Sequence, residues 1–328
     1  MKFRKLAGAL AAAATLGVAG NAVADGHELT VAYFLEWPTP NQYAQHNKLY
    51  EEALGMKVNW VSFDAGTAMS AAMASGDVQI SFSQGVTPFL VATAAGQDLQ
   101  AVDIAVGYSD NDNCVVRSDL EIDASNAKEL EGKEVGVPLG TAAHSGFLAQ
   151  MKHFGIDTGT MKIVDMAPVD SAAAFASGNL DMVCGWGGAL RRMREHGNVL
   201  LSGAEKEAVV GKVFDITSVP TAWAQENAET LTKFLALTAE MNKKYAADRA
   251  PMMDAIAKEA GMDVETTTAI LDVFSFPTVD AQLSEAWMGG FLADYFASSA
   301  AALEEAGQIK ALADYNAVID SSYLAAVK

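Results

Sequence analysis

The sequence is poor in cysteine, histidine and positive charge, and each shortage excludes a class of protein. It has two cysteines, five histidines, and 22 basic residues against 41 acidic ones, for a formal net charge of −19 over 328 residues. We do not expect a nucleic-acid partner, because phosphate contacts require a basic surface. Two cysteines without a histidine pattern beside them do not predict a metal site. Phosphate-loop motifs are also missing, and we expect neither a metal nor a cofactor.

Long apolar runs are missing after the N-terminal segment. Three basic residues precede the apolar run 6–18, which is too short and alanine-rich to span a membrane, and 22–24 form a small-x-small cleavage pattern. We therefore expect a signal peptide at 1–24, a mature chain that begins at Asp25, and export to the periplasm. A lipid anchor is not indicated, since no cysteine follows the apolar run.

The stretch 74–90, ASGDVQISFSQGVTPFL, organises the chain around it. A helix end with glycine at its cap precedes alternating apolar and polar residues, which predict a strand. Gln84 and Gly85 begin a short loop, and Thr87 followed by proline predicts a helix start. The unpaired N–H groups of a helix start are a favourable site for an anion.

The same pattern returns about a hundred residues later. Ala176–Met182 repeats the order of residue types in Ala74–Ile80, and the glycine-rich loop 185–188 then precedes a helical run. Chance could produce a match this short. The matched order of elements on both sides favours two similar α/β lobes, and a cleft between lobes is a preferred place for a small ligand.

The length and the order of elements predict how the lobes divide the chain. At roughly 150 residues per domain, the chain suggests two domains, and alternating strands and helices imply parallel pairing. We assign 25–107 and 218–328 to the first lobe and 108–217 to the second. The chain would cross between them near 107–110 and 213–218.

Two candidate ligand contacts follow the first strand. Glu36 and Trp37 lie where its carboxyl end opens, next to two prolines. This segment is either an exposed, proline-stiffened loop or a wall of the ligand site, because ligands of open α/β sheets lie beyond the carboxyl ends of the strands.

A second helix start follows the predicted strand 134–138. Thr141 stands at its cap, Ala142 follows, and His144 falls in the first turn. His144 is either a half-buried histidine or a donor to a bound anion. A serine nucleophile at Ser145 is disfavoured, because no glycine-framed elbow surrounds it and no acid is evident to orient the histidine.

Three further features leave two interpretations each. Trp186 either packs over a hinge or covers the ligand as an aromatic lid. Asp215 lies in an apolar run, and a buried charge needs a partner. That partner is either a protein group or a cation on the ligand. Cys114 and Cys184 each lie in a predicted strand, and they either form a disulfide or remain two buried thiols.

The arginines at 191, 192 and 194 are interpreted as a solvated helix face.

The sequence resembles the periplasmic solute-binding proteins of ABC importers, in the nitrate, sulfonate and taurine group. The resemblance is spread over most of the mature chain, in these segments: 61–66 with 74–80, 132–138, 141–144 with 152–156, 178–181 with Trp186, and Asp215. There are three departures from the group's pattern, at Glu36-Trp37-Pro38, Gly85-Val86-Thr87 and Gly187-Gly188.

The resemblance implies an α/β, two-lobe fold of the type II-like periplasmic binding class, each lobe a mainly parallel sheet with helices on both faces. It implies a non-catalytic, monomeric protein that captures taurine (2-aminoethanesulfonate) in the cleft and delivers it to the membrane permease of an ABC transporter. Alternatives are another aliphatic sulfonate, a nitrate-like anion, or a thiamine-precursor pyrimidine. An exported hydrolase is disfavoured, because no catalytic motif is present.

The implied ligand is a zwitterion whose two ends need different partners. Its sulfonate would lie on the helix starts at Thr87 and Thr141 with help from His144. Its ammonium would meet Asp215, helped by Glu36, and the face of Trp186 or Trp37. The ligand-binding residues that we predict are Glu36, Trp37, Gln84, Gly85, Thr87, Thr141, Ala142, His144, Trp186 and Asp215.

Overall fold

A computed structural model describes residues 28–108 and 110–327 of the chain. The predicted signal peptide, 1–24, lies outside these ranges. The described strands are β1 Glu28–Tyr33, β2 Lys57–Ser62, β3 Ile80–Gly85, β4 Leu99–Tyr108, β5 Asp112–Arg117, β6 Glu134–Val137, β7 Lys162–Asp165, β8 Met182–Trp186, β9 Gly197–Asn198, β10 Val213–Pro220 and β11 Phe274–Ser275.

The described α-helices lie between and after these strands. They are α1 Asn41–His46, α2 Leu49–Leu54, α3 Gly66–Ser75, α4 Val86–Ala94, α5 Ala142–Phe154, α6 Pro168–Ala176, α7 Gly187–Arg194, α8 Gly203–Val210, α9 Thr221–Glu226, α10 Ala228–Ala247, α11 Met253–Ala260, α12 Val264–Leu271, α13 Val279–Leu283, α14 Phe291–Glu305 and α15 Ser322–Ala325. A search of the described helices for one with the length and apolar character of a membrane span finds none.

The strands form two sheets with the same internal arrangement. The first sheet has the order β11-β4-β10-β3-β1-β2 and the second β7-β6-β8-β5-β9. In each, three strands that follow one another through helical crossovers pair in parallel: β2-β1-β3 and β7-β6-β8. The strand beside them, β10 or β5, runs antiparallel. The α/β two-lobe prediction is confirmed, although the sheets are mixed, since a strand that enters from the other lobe runs back along its neighbours.

The chain passes between the sheets twice. It leaves the first sheet after Tyr108 and enters the second at Asp112, and it returns at Val213. All of β10 pairs with β4 in the first sheet, so residues 213–217 lie with the first sheet. We call residues 28–108 with 213–327 the first lobe, and the part between them the second lobe. A hinge at these crossings stays a prediction.

The hydrophobic core of the first lobe lies on both faces of its sheet. All six residues of β3 are buried, because helices cover it on either side. Tyr50 of α2 stacks on Phe234 of α10 at 4.8 Å between ring centroids. The second lobe has separate cores built around residues such as Phe147 and Phe175.

Two predicted loops are absent, because strands run directly into helices. Helix α4 begins at Val86 with Gly85 as its N-cap, one residue after Gln84, so the prediction of Thr87 as the cap was wrong. Proline is tolerated in the first turn, where N–H groups have no intrahelical partner. In the second lobe, β8 ends at Trp186 and α7 begins at Gly187, which adopts φ +59°.

The cysteines of the second lobe form a disulfide. Cys114 of β5 and Cys184 of β8 stand directly opposite each other in the antiparallel register, and their sulfurs are bonded. The bond links positions 70 residues apart within the sheet. Of the two interpretations of these residues, the structure has the disulfide.

Replacing both cysteines by alanine should destabilise the protein. The bond closes a long loop and so restricts the unfolded chain, which predicts a loss of about 2–4 kcal/mol in the free energy of unfolding. Urea denaturation of the mature protein and the Cys114→Ala/Cys184→Ala variant measures it. The wild type under reducing conditions serves as the control, and it should fall to the same midpoint. Equal midpoints for all three samples would contradict the prediction.

Candidate functional site

A narrow cavity of about 20 Å³, partly open to solvent, lies between the two lobes. Both lobes contribute its walls, from the ends of strands and the starts of helices. The residues that line it are Phe34, Trp37, Gly66, Gly85, Pro88, Tyr108 and Asp215 of the first lobe and Asp112, Thr141, Ala142 and Trp186 of the second.

Three helix starts converge on this cavity. Gly66 opens α3, Gly85 caps α4, and Thr141 caps α5 from the opposite lobe. A Cβ atom on Gly66 would lie 2.6 Å from the Pro88 ring, so only glycine lets α3 and α4 begin this close together. Helix starts carry unpaired N–H groups and positive potential, so the starts of α3, α4 and α5 favour an anion in the cavity.

A fourth helix start, that of α7, is already occupied by protein groups. The N–H of Gly187 donates to the carbonyl oxygen of Asn111 at 3.2 Å, and that of Gly188 to the carbonyl oxygen of Glu36 at 3.4 Å. The glycine-rich stretch after Trp186 therefore serves contacts within the protein.

The cavity also contains a buried acid beside the start of α4, because Asp215 stands opposite Gly85 in the antiparallel register. Asp215 of β10 is 3% exposed, and its carboxylate accepts hydrogen bonds from the hydroxyls of Ser83 at 2.8 Å and Tyr108 at 2.9 Å. Burial raises the pKa of Asp215 to about 7 in spite of these two donors. Both donors are neutral, so the charge of the carboxylate is hydrogen-bonded without being neutralised by them.

A β-bulge brings Ser83 to Asp215. Phe82 and Ser83 of β3 stand against Thr217 alone, between the pairs Ser81–Ser218 and Gln84–Ile216. Ser83 adopts φ +63° and is 1% exposed. In this conformation its hydroxyl donates to Asp215 and accepts the indole N–H of Trp37 at 2.8 Å.

A second buried acid faces the cavity from the other lobe. Asp112 of β5 has its pKa raised to about 6 by burial, and the nearby charge of Lys206 opposes that rise. The ammonium of Lys206 also donates to the backbone carbonyl of Asp112. Asp215, Asp112 and Lys206 together carry one net negative charge when all three are ionised.

Aromatic rings complete the walls. Trp37 meets Tyr108 edge to face, with centroids 4.8 Å apart, and Phe34 of the first lobe lies 6.0 Å from Trp186 of the second. Trp186 is partly exposed. Aromatic faces beside a carboxylate suit an organic cation.

Six of the ten residues predicted from the sequence line this cavity. They are Trp37, Gly85, Thr141, Ala142, Trp186 and Asp215. The structure places the other four, Glu36, Gln84, Thr87 and His144, next to it with their side chains bonded to protein groups. Their predicted contacts with a ligand stay predictions.

Gln84 and Thr87 are held by neighbours. The amide of Gln84 donates to the Gly66 carbonyl at 2.8 Å and to Ser70 at 2.6 Å, and its oxygen accepts from Ser218. The Thr87 hydroxyl lies 3.0 Å from that of Ser145 in the other lobe. Thr87 therefore joins the two lobes at the edge of the cavity.

His144 organises the turn that precedes α5. Its Nδ1 accepts a hydrogen bond from the backbone N–H of Gly140 at 3.2 Å, and its own N–H is capped by Thr141. Burial lowers the pKa of His144 below its usual value, so the ring is neutral at pH 7. The geometry favours a positioning role for this histidine.

Glu36 is bound to the second lobe. Its carboxylate forms an ion pair with Arg192 of α7, at 2.8 and 3.0 Å. All three arginines of α7 are exposed, as predicted. Two of them also bind protein groups, since Arg192 pairs with Glu36 and Arg194 donates to the carbonyl of Asp110.

The sequence prediction missed six residues of the site. Five of them line the cavity, namely Phe34, Gly66, Pro88, Tyr108 and Asp112, and the sixth, Ser83, binds Asp215. A signal was available for two of them. Tyr108 and Asp112 flank the predicted crossing between the lobes, and crossing strands lie at the cleft. Ser83 gave no signal, since only the bulge in β3 turns its side chain toward Asp215.

Two larger spaces lie outside this cavity. One, of about 300 Å³, borders Lys206, Lys212 and Trp287. The other, about 850 Å³, is a groove between α14 of the first lobe and α5 and α8 of the second. The smaller cavity combines three helix starts with buried acids, and for this reason we identify it as the candidate ligand site.

Stability should depend on pH through Asp215. Its pKa of about 7 in the folded protein exceeds the value near 4 of an unfolded aspartate. Ionising it thus costs the folded state, and unliganded stability is lost as pH rises from about 4 through 7. Relative to wild type, Asp215→Asn should gain about 2–4 kcal/mol over this range. Thermal denaturation of both proteins across the range measures the difference, and parallel profiles would contradict it.

Comparison with known proteins gives relatives over nearly the full length. The chain is 26% identical over 303 residues to the taurine-binding periplasmic protein of Escherichia coli K12, covering 90% of this chain and 92% of the relative. The periplasmic aliphatic sulphonate binding protein SsuA of Escherichia coli has the same fold, with a TM-score of 0.67, 20% identity, and coverage of 86% of this chain and 94% of its own.

The fold is also shared with an enzyme. The desulfurization enzyme DSZB superimposes with a TM-score of 0.65 at 12% identity, covering 91% of this chain and 98% of its own. Fold alone therefore does not decide whether the cavity binds or reacts. The sequence profile described as NMT1/THI5 like matches residues 39–248, more than half of the chain. The chain belongs to the NMT1/THI5-like family.

Proposed function

We propose that this protein is a non-catalytic periplasmic binding protein that captures taurine between its lobes and delivers it to an ABC transporter. The observation that carries the proposal is the set of groups that line the cavity between the lobes. The starts of α3, α4 and α5 and the buried carboxylate of Asp215 line it together. A small zwitterion carries one group for the helix starts and one for the carboxylate.

The amine end accounts for the otherwise costly burial of Asp215. A ligand ammonium beside its carboxylate would replace the missing positive charge, and each carboxylate oxygen has a further lone pair beyond the one used by Ser83 or Tyr108. Asp112 from the other lobe adds to the negative potential. A purely anionic alkanesulfonate has no cationic group to pair with these acids. For this reason we propose taurine as the ligand in preference to ethanesulfonate.

The sulfonate end suits the three helix starts. Its oxygens accept hydrogen bonds in several directions, and N–H groups of α3, α4 and α5 are the available donors. Helices α3 and α4 belong to the first lobe and α5 to the second. A ligand held between them would therefore favour the closed arrangement of the lobes, as in hinge closure around a ligand.

The relatives add weight to this choice of ligand and of role. The sequence relative with the highest coverage is a taurine-binding periplasmic protein, and another is a putative aliphatic sulfonates-binding protein of Escherichia coli, 24% identical over 225 residues. Both cysteines are joined in the disulfide, so no free thiol is available as a nucleophile in this protein. Export to the periplasm and delivery to a membrane permease follow from the same likeness.

Calorimetry should rank ligands by whether they carry both charges. We expect the mature protein to bind taurine, and to bind ethanesulfonate, which lacks the ammonium, at least about tenfold more weakly, which corresponds to about 1.4 kcal/mol or more. Equal affinity for taurine and ethanesulfonate would contradict recognition of the amine. Mass spectrometry of the same mixtures should recover taurine unchanged, and any turnover would contradict the binding-protein proposal.

Removing the charge of Asp215 should abolish the protein's preference for a ligand with an amine. For Asp215→Asn we expect a loss of roughly 2–5 kcal/mol in taurine affinity, as for one partner of a buried charge pair, and little change toward ethanesulfonate. The matched control is Asp103→Asn. Asp103 is also buried in the first sheet, where it accepts a hydrogen bond from Thr217, but it does not line the cavity. An unchanged dissociation constant for Asp215→Asn would make that residue structural.

A further inference from the structure

One contact between the lobes lies outside the ligand cavity and has not entered the proposed function. Glu36, in the turn after β1 of the first lobe, meets Arg192 of α7 in the second. Both carboxylate oxygens accept from the guanidinium, at 2.8 and 3.0 Å. This two-pronged geometry is the stronger and more directional form of an arginine–carboxylate pair.

The start of α7 is shaped to admit Glu36. A Cβ on Gly187 would lie 2.4 Å from the carbonyl oxygen of Glu36, and a Cβ on Gly188 would lie 2.8 Å from its carboxylate. Any other residue at either position would push Glu36 away. The N–H of Gly188 also donates to the Glu36 carbonyl at 3.4 Å. Both the backbone and the side chain of Glu36 thus contact the start of α7.

The backbone of Glu36 is set for this contact. Its φ of +56° is uncommon for a residue other than glycine, and such conformations cost on the order of 1 kcal/mol or more. Its N–H donates to the carbonyl of Ala260, the last residue of α11, at 2.8 Å. The first lobe therefore holds Glu36 in an unfavourable conformation that directs it toward the second lobe.

We propose that Glu36, Arg192 and the Gly187–Gly188 step form a clasp that stabilises the closed lobes, and that Glu36 and Arg192 thereby set ligand affinity without touching the ligand. Every contact of the clasp joins the two lobes, so opening the cleft must break it. A contact made only in the closed state shifts the open–closed equilibrium and raises the apparent affinity by the same factor. It should slow release more than it speeds capture.

The direct test removes the guanidinium. Arg192→Met keeps the length and helix propensity of the side chain, and the matched control Arg191→Met removes the same charge from the neighbouring position while leaving the clasp intact. Because the pair is partly exposed, we expect a loss of roughly three- to tenfold in taurine affinity for Arg192→Met only. The loss should lie in a faster dissociation rate, with the association rate unchanged in stopped-flow measurements.

A second variant tests the clasp without removing a charge. Gly188→Ala favours the helix but crowds the Glu36 carboxylate, so it should weaken taurine binding. Gly146→Ala of α5, whose Cβ would lie at an ordinary 3.7 Å from its nearest neighbour, Val210, should not. In a Glu36→Gly background, Gly188→Ala should have no further effect. This combination separates the clasp from a general disturbance of α7.

Salt and scattering give readouts that a merely structural role would not move. At about 1 M salt, the difference in affinity between wild type and Arg192→Met should shrink, because screening weakens a partly exposed ion pair. Equal affinities of wild type, Arg192→Met and Gly188→Ala at low salt would overturn the clasp.

This inference rests on the proposed function only in using taurine as the ligand of the binding tests. If wild type failed to bind taurine, that function would fall, and the clasp would be decided by X-ray scattering of the unliganded proteins. A larger radius of gyration for Arg192→Met than for wild type supports it, and equal radii overturn it.

Discussion

The burial of one carboxylate, that of Asp215, is the constraint on which the rest of the site depends. A buried charge is stable only with hydrogen bonds and compensating charge around it. The protein supplies the hydrogen bonds through Ser83 and Tyr108, and it supplies them from neutral hydroxyls. The bulge in β3 and the conformation of Ser83 direct the Ser83 hydroxyl toward Asp215. The ligand ammonium that we propose would supply the remaining positive charge.

The two lobes divide the work of recognition and so make binding depend on closure. Both lobes contribute helix starts, α3 and α4 from the first and α5 from the second, and each lobe contributes one buried acid, Asp215 or Asp112. Contacts outside the cavity, such as Thr87 with Ser145 and Glu36 with Arg192, also form only when the lobes meet. Affinity is therefore shared between groups that touch the ligand and groups that hold the lobes together.

The fold by itself supports both binding and catalysis, as its likeness to a desulfurization enzyme illustrates. What distinguishes this chain is the content of the cavity. Helix starts, aromatic rings and buried acids line it, and such groups suit the binding of a small ligand. The histidine predicted nearby, His144, is neutral and bonded to Gly140. Two of the departures from the pattern of its sequence group, Glu36 and Gly187–Gly188, turn out to contact each other.

The sequence by itself determined the order of elements, the two-lobe α/β fold, the helix start at Thr141 and the importance of Asp215, because these follow from local patterns of residue type. It also indicated most of the residues that line the cavity. Only the tertiary structure decided that Cys114 and Cys184 are bonded and that Glu36 pairs with Arg192. It alone brought Ser83 and Tyr108 to Asp215. These contacts join positions far apart in the chain, and no local pattern encodes which distant side chain will share a buried charge.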